Sequence, residues 1–421
     1  MPLGLYISVP FCRTKCSYCN FASDVFSKAA YENYVARLLE DIANSRHFAS
    51  KMGCALDDVA DSIYLGGGTP SILGASQLLR IFAAVRGQFA VAPDAEITVE
   101  CAPGTLTPAL IETLLQCGVN RVSLGVQSFV DQEAQSVGRL HKRSTVLEEI
   151  ARLRDAGLTN ISIDLIAGLP HQTAETWAFS VAETIATGVP HVSVYMLEVD
   201  EDSRLGRELI AGGARYHAHF VPDDDATADF YQQACEMLDS AGLAQYEISN
   251  FARTGSQLLS DESRHNLKYW TRQPYLGFGV DAHSMLTASL REDCQALRFA
   301  TPDSLDAYMN RAPHKVTPIS AQAALEENFF LGLRLNRGID LSLIMNCHPD
   351  PELVEAEGPA FLSSAIESCV DDGLLEQQGS ILRLTARGRL LSNEVFARFL
   401  MEKTTERAAE TKVGTGHVNP R

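Results

Sequence analysis

Several things the sequence lacks narrow its class first. Basic residues are in short supply: 35 Lys and Arg stand against 53 Asp and Glu, a net charge of −18. That balance argues against nonspecific binding to nucleic acid or to an anionic membrane, because neutralising phosphates takes a basic surface. No uninterrupted apolar run approaches the roughly 18 residues that span a bilayer, so no integral membrane segment is expected. The N-terminus has neither the basic, apolar and small-residue order of a signal peptide nor an Arg-rich, acid-poor leader. A cytoplasmic protein is the expectation. Cysteine is too sparse, ten in 421 residues, for a disulfide scaffold. There is no second CxxC pair to close a four-ligand zinc site, and neither GxxxxGK[ST] nor GxGxxG occurs.

What is present begins with three of those cysteines, in Cys12-Arg-Thr-Lys-Cys16-Ser-Tyr-Cys19. Thiolates at i, i+4 and i+7 share a centre only if the chain loops around it. A redox CxxC would use Cys16 and Cys19 and leave Cys12 idle. Three thiolates can instead hold three irons of a [4Fe–4S] cubane and leave the fourth open to a ligand.

The surrounding 421 residues are 46% hydrophobic and 21% charged, ordinary globular composition sufficient for two or three domains. β-rich runs recur at Leu5–Val9, Ser62–Leu65, Glu96–Glu100, Arg121–Val126, Ile161–Ile166 and His191–Glu198. Helical periodicity fills Ala30–Ser45, Gln77–Val85, Pro108–Cys117, Val146–Ala156 and Ala174–Thr187 between them. This alternation predicts an α/β fold of six βα units with a parallel sheet, a partial or closed barrel of TIM type. Chemistry in such folds gathers at the C-terminal strand ends. There lie the cysteine triplet, Gly66-Gly67-Gly68-Thr69-Pro70, Glu100 and Gln127-Ser128, with Asp164 inside the fifth strand. Glycines there permit close backbone approach by a ligand, or simply a tight turn.

CxxxCxxC after the first strand, GGGTP after the second and a βα-repeat body resemble the radical S-adenosylmethionine (SAM) proteins. Four segments carry a narrower resemblance: Tyr6-Ile-Ser-Val-Pro-Phe-Cys12, Gly125-Val-Gln-Ser-Phe129, Gly138-Arg-Leu-His141 and Asp164-Leu-Ile-Ala-Gly-Leu-Pro170. They are similar to the oxygen-independent coproporphyrinogen III oxidase superfamily, and the similarity runs from about residue 3 to 400. The decarboxylating members continue the triplet as CxxxCxxCxC, whereas here Phe21 occupies the last position. His265-Asn266-Leu-Lys-Tyr269-Trp270 matches the HNxxYW motif of the superfamily's heme-chaperone branch. Phe21 and this motif favour that branch over the alternative, anaerobic decarboxylation of coproporphyrinogen III to protoporphyrinogen IX.

The resemblance implies cofactors and roles. Cys12, Cys16 and Cys19 would ligate a [4Fe–4S] cluster. Tyr6, Gly67, Gly68, Thr69, Glu100, Gln127, Arg139 and Asp164 match positions that hold SAM. Glu100-Cys-Ala-Pro103 departs from the usual pattern, in which Asn precedes the proline. Heme, a heme-acceptor protein and an electron donor are the implied partners. His265, Tyr269 and Trp270 are the candidate heme contacts, with His283 a second candidate ligand; a lone His beside aromatics is also an ordinary packed residue. His217 and His219, followed by Asp223-Asp-Asp225, offer a metal site or a solvated loop.

The expected domains are a radical SAM core over 1–250, a connecting region carrying HNxxYW over 251–319, and a C-terminal helical unit over 320–400. Within the last, Ala321–Leu333 has an apolar stripe, and Gly373-Leu-Leu-Glu followed by Ile381-Leu-Arg-Leu resembles a winged-helix hairpin. Glu352, Glu355, Glu357, Asp371, Asp372 and Glu376 make it acidic, which suits a lid or a partner-docking domain better than DNA binding. The polar tail, 401–421, is expected to be disordered.

Overall fold

The computed structural model describes residues 1–254, 261–291, 293–347 and 358–400, so the expected tail and Glu352, Glu355 and Glu357 lie outside the described residues. The chain divides into two compact units, Met1–Ser320 and Ala321–Arg421.

The first unit opens with β1 (Leu3–Val9), α1 (Lys28–Lys51), β2 (Val59–Gly67), α2 (Ala75–Gln88), β3 (Ala90–Cys101), α3 (Pro108–Gln116) and β4 (Arg121–Gln127). It continues with α4 (Asp131–Ser136), α5 (Arg143–Asp155), β5 (Ile161–Ala167), α6 (Ala174–Thr187) and β6 (His191–Met196). Strands β1 to β6 pair in sequence order, all parallel. The expected α/β barrel is therefore a half-wound parallel sheet whose strand ends point one way. Helix starts follow local chemistry: Thr173 caps α6, accepting from the Thr176 amide, and Gly188 ends it in the left-handed region.

Beyond β6 the chain adds α7 (Arg204–Ala211), α8 (Asp224–Ser240), β7 (Leu243–Glu247), β8 (Asn250–Arg253), α9 (Arg264–Trp270), β9 (Tyr275–Gly279), β10 (His283–Thr287), β11 (Ala296–Ala300), α10 (Leu305–Met309) and β12 (Lys315–Ile319). Residues 251–319 are not a connector. β9 pairs in parallel with β1, Leu5 opposite Leu276, β10, β11 and β12 extend that edge, and β8 and β7 extend the other beside β6, making a sheet of twelve strands. The sequence reading missed this because β9, Tyr-Leu-Gly-Phe-Gly, is too short and glycine-rich to stand out as a core strand.

The strands bury both faces, yet they alternate in character. In β5 Ile161, Ile163 and Leu165 face the helices, while Ser162 and Asp164 line an interior cavity. β4 does the same with Val122 and Leu124 against Arg121 and Ser123, and β6 with Val192 and Val194 against His191 and Ser193. Parallel strands usually read as continuous apolar runs; here every second residue is polar because the inside of the half-barrel is polar.

Helix α9 closes one end of that interior. Its first amides, Arg264 and His265, donate to the Glu96 carboxylate, both at 3.1 Å. Glu96 also faces Arg121 at 3.7 Å, and both side chains are buried. Lys268 Nζ, buried as well, pairs with Asp61 at 2.7 Å.

The second unit, taken by itself, contains α11 (Ala321–Gly332), β13 (Ile339–Asp340), α12 (Leu341–Cys347), α13 (Gly358–Asp371), β14 (Leu375–Gln378), β15 (Ile381–Leu384), α14 (Ala386–Leu390) and α15 (Ser392–Ala397). β14 and β15 form the antiparallel hairpin that the sequence suggests, and β13 joins the other edge of β15. The arrangement is a winged-helix-like module.

Removing one member of a buried charge pair leaves the other uncompensated, at a cost of about 3–5 kcal/mol. Glu96→Gln, which also weakens the anchor of α9, is expected to lower stability by about 3 kcal/mol in urea unfolding. A loss below about 1 kcal/mol would show that the Glu96 node does not hold the barrel end.

Candidate functional site

The cysteines sit on a loop that leaves β1 and returns as a single bridge between Phe11 and Asp24. Its base is closed by Cys12 N–H to Asp24 O and Asp24 N–H to Pro10 O, both 3.0 Å. Two later segments pin its crown. The Ser17 amide donates to Val137 O at 3.1 Å, and the Thr14 hydroxyl donates to Gly138 O at 3.0 Å. From the other side, the Leu205 amide at the start of α7 donates to Ser17 O at 2.8 Å. Tyr18 packs against Val137, Ile166 and Leu169, and its hydroxyl accepts from Arg139 at 3.3 Å. The three thiols are free, half-buried and held in place.

Below the loop lies a cavity of about 320 Å³. Its lining includes Cys12, Cys16, Cys19, Gly67, Gly68, Thr69, Glu100, Gln127, Arg139 and Asp164. The eleven residues expected to hold the cluster and SAM are thus distributed between one cavity and a neighbour, with Tyr6 the exception to the first. Tyr6 lines a second cavity of about 300 Å³, along with Ser8, Phe21, Gly67, Gly68, Tyr269, Tyr275, Asp281 and His283. Gly67, Gly68 and Phe21 belong to both walls.

The glycines have a reason different from ligand approach. A Cβ on Gly68 would stand 2.7 Å from Phe11 O and 2.8 Å from Val9 O, and Gly67 has φ +97°. The segment lies directly against the end of β1, with Gly68 N–H to Val9 O at 2.8 Å and Thr69 N–H to Phe11 O at 2.7 Å. The Thr69 hydroxyl then donates to Cys12 Sγ at 3.7 Å. These glycines let β2 brace the cysteine loop.

The cavity's electrostatics suit a polar ligand. Burial pushes the Glu100 carboxyl up to about 7, against hydrogen bonds from the Tyr64 hydroxyl (2.8 Å) and the Gly67 amide. Burial also raises Asp164, which accepts from Ser123 at 3.0 Å. Three further wall atoms are buried without a partner: Thr98 Oγ1, Gln127 Oε1 and Arg139 Nε. Gln127 is held at φ +69°. An acceptor, a hydroxyl, a guanidinium N–H and two carboxyls around one space fit a ligand with amino, carboxylate and hydroxyl groups. Among the described residues no three His, Cys, Asp or Glu converge on a point that would hold a single metal ion. A cubane keeps its thiolates on separate irons, so three cysteines around a cavity mouth fit it better than they fit zinc. Burial holds the Cys19 thiol above its usual range, and an iron ligand must lose that proton.

The structure places His265 differently from the expectation. It is 1% exposed, its Nδ1 bonded to the Ser62 hydroxyl at 2.9 Å and its Nε2 to the Tyr269 hydroxyl at 2.8 Å. Burial, with Lys268 nearby, pushes its pKa down to about 3. With both nitrogens engaged, His265 has none to offer an iron. Tyr269 does face the second cavity, and Trp270 is half-buried and not among that cavity's lining residues. His283 is there, its side chain 60% exposed with Nε2 3.8 Å from Asp281 Oδ1. His217 and His171 contact each other, Nδ1 to Nε2 at 3.2 Å, outside this site. The sequence reading missed Tyr64, Ser123, Ser193, Tyr195 and His191 on the cavity wall; the period-2 polarity of β2, β4 and β6 was the available signal.

Fold and cysteine-rimmed cavity together define a radical SAM protein, and residues 6–181 match the radical SAM superfamily model. Residues 319–391 match the HemN C-terminal domain. Similar proteins include the heme chaperone HemW of Bacillus subtilis, 31% identical over 94% of this chain and 99% of the relative. The HemW proteins of Mycobacterium tuberculosis (31%, 95% of each chain) and Escherichia coli (29%, 95% and 99%) are also similar. Among solved structures, the coproporphyrinogen III oxidase HemN of Escherichia coli superposes with a TM-score of 0.78 at 23% identity, over 94% of this chain and 90% of that one. The chain belongs to the HemW family.

Two measurements check the site. Iron content after anaerobic reconstitution is expected to fall from about four per chain to near zero in Cys12→Ala, Cys16→Ala or Cys19→Ala; four irons retained in any of them would remove that cysteine from the ligand set. Glu100 binds its proton more tightly folded than unfolded, so from about pH 4.5 to 7 the folded state holds the extra proton and stability falls as pH rises. Glu100→Gln is expected to flatten that fall, a difference on the order of 2 kcal/mol in urea unfolding at pH 5 and 7. Parallel pH profiles would contradict the buried, ligand-free carboxyl.

Proposed function

We propose that this protein is a heme chaperone that binds heme and passes it to an acceptor protein, carrying a [4Fe–4S] cluster with SAM. What carries the reading is that the match to relatives named heme chaperone HemW extends over nearly the whole of both chains. Phe21 and HNxxYW support it over the oxidase reading, which the fold alone would equally accommodate.

Cys12, Cys16 and Cys19 would hold the cluster. Arg139 would pair with the SAM carboxylate, while Glu100, Gln127 and Asp164 would take the amino group and the ribose hydroxyls. Gly67, Gly68 and Thr69 hold the loop in position. When bound and reduced, the cluster supplies an electron to SAM, and the chain's part is to orient the pair and limit water.

Heme binds at the second cavity. Tyr6, Tyr269 and Tyr275 provide aromatic wall, Phe21 an exposed aromatic edge, and His283 an exposed imidazole with its Nε2 3.8 Å from Asp281. At about 300 Å³ the cavity is small for a ligand pocket. It grips part of the macrocycle and leaves the rest exposed, which suits onward transfer. Tyr6, expected among the SAM residues, lines this wall with Tyr269, and His265 supports it by holding the Tyr269 hydroxyl.

Heme titration of His283→Ala is expected to weaken binding at least tenfold or to shift the Soret band, whereas His265→Ala keeps the Soret band at a stability cost of about 1–3 kcal/mol. The reverse pattern would return the ligand role to His265. The same reconstituted protein, given coproporphyrinogen III, SAM and reductant, is expected to form no protoporphyrinogen; steady turnover would make it an oxidase.

A further inference from the structure

The outer side of the cysteine loop is unlike the rest of this acidic chain. A depression of about 470 Å³ there is lined by Arg13, Lys15, Arg204 and Arg215, and none of its lining residues is acidic. The recorded partners of these cations are carbonyl oxygens and a ring: Arg13 donates to Gly104 O, Lys15 to Phe21 O and Arg204 to Lys15 O, while Arg215 lies over Tyr216. Among the described residues none of the four forms an ion pair with a carboxylate, although the protein has 53 of them. The nearby Asp200 is turned instead to Asn20, at 3.2 Å. Two exposed apolar side chains line it as well, Leu140 at 70% and Val25 at 56% exposure.

This face also adjoins a cluster ligand. Lys15 and Ser17 of the lining flank Cys16 in sequence. A smaller cavity of about 180 Å³ shares Arg13, Thr14 and Leu140 with the depression and reaches Cys16 itself. Four cations beside exposed apolar side chains, on a chain of net charge −18, select an anionic partner at this face and repel it elsewhere.

We propose that this depression is the docking face for a small acidic one-electron carrier protein that reduces the cluster past Cys16. The inference rests on the cluster reading above. In the step, one electron leaves the reduced carrier and enters the cluster; the carrier is oxidised by one electron, the cluster reduced by one, and no bond is made or broken.

The test uses a reduced acidic flavodoxin as the probe and the full-length reconstituted protein. Calorimetry is expected to give a Kd that weakens steeply with salt, as charge-guided binding does. Arg204→Glu/Arg215→Glu is expected to weaken that Kd at least tenfold at low salt and to slow optical bleaching of the cluster by the flavodoxin to a similar degree. Reduction by dithionite, a small reagent that needs no docking, is expected to stay unchanged, as is iron content. The single variant Arg215→Glu, whose side chain supports no backbone contact of the loop, guards against a folding defect in the pair and is expected to show a smaller loss in the same direction. Arg311→Glu, remote and already opposite Glu40, is expected to behave as wild type. A salt-independent Kd, or equal reduction rates in the wild type and both variants, would overturn the proposal. So would binding of a short single-stranded RNA, instead of flavodoxin, that the double variant loses. Iron content of the wild type tests the cluster reading separately, and the calorimetric Kd is readable with or without the cluster.

Discussion

Polar groups buried inside an open barrel set the terms for everything else in the first unit. Buried polar atoms cost free energy unless they are paired, and buried charges cost more. Half of this interior meets that condition within the protein. Glu96 is matched by Arg121 and by the amides of α9, His265 by Ser62 and Tyr269, and His191 by Ser162 and Tyr246. The other half, beneath the cysteine loop, meets it less fully: Glu100 and Asp164 accept hydrogen bonds yet are raised by burial, and Thr98, Gln127 and Arg139 each leave an atom unpartnered. One sheet thus has a settled end and an unsatisfied end. The unsatisfied end is where a ligand with complementary groups stabilises the fold as it binds.

Position in the fold explains why the two ends differ. The settled end lies at the strand starts, where α9 enters as a plug. The unsatisfied end lies at the strand finishes, where loops after β1, β4 and β6 meet. The cysteine loop is braced from outside: Val137, Gly138 and Leu205 bond its backbone or side chains, and the Thr69 hydroxyl bonds the Cys12 thiol. Three later parts of the chain, after β2, β4 and β6, thus position the thiols. Phe21, at the edge of both cavities, sits where the decarboxylating relatives are expected to have a cysteine. It gives the second cavity an aromatic rim and places the cluster site and the proposed heme site side by side.

Much of this was readable from the chain. The six strands and their helices follow directly from alternating periodicities, and the cysteine spacing with the glycine segment located the site at the strand ends. Three things were not readable, for physical reasons. β9 joins β1 through pairing distant in sequence, and its five residues carry little periodic signal, so 251–319 looked like a connector. Whether the glycines admit a ligand or a neighbouring strand depends on which backbone lies within 3 Å, and only the fold shows that it is β1. The motif around His265 marks a residue type at a spacing; it does not reveal that Ser62, sixty residues into the chain, and Tyr269 take both ring nitrogens. Residues that hold a functional side chain in place and residues that act resemble each other in sequence, because both are polar and buried.

The most direct test of the central claim is a calorimetric titration of SAM into the anaerobically reconstituted protein. The account predicts one SAM bound per chain, at an affinity that collapses when Cys12, Cys16 and Cys19 are replaced by alanine and falls in Glu100→Gln. Undiminished binding to the triple alanine protein, or no binding to the wild type, would mean that the unsatisfied half of the barrel is completed by something else.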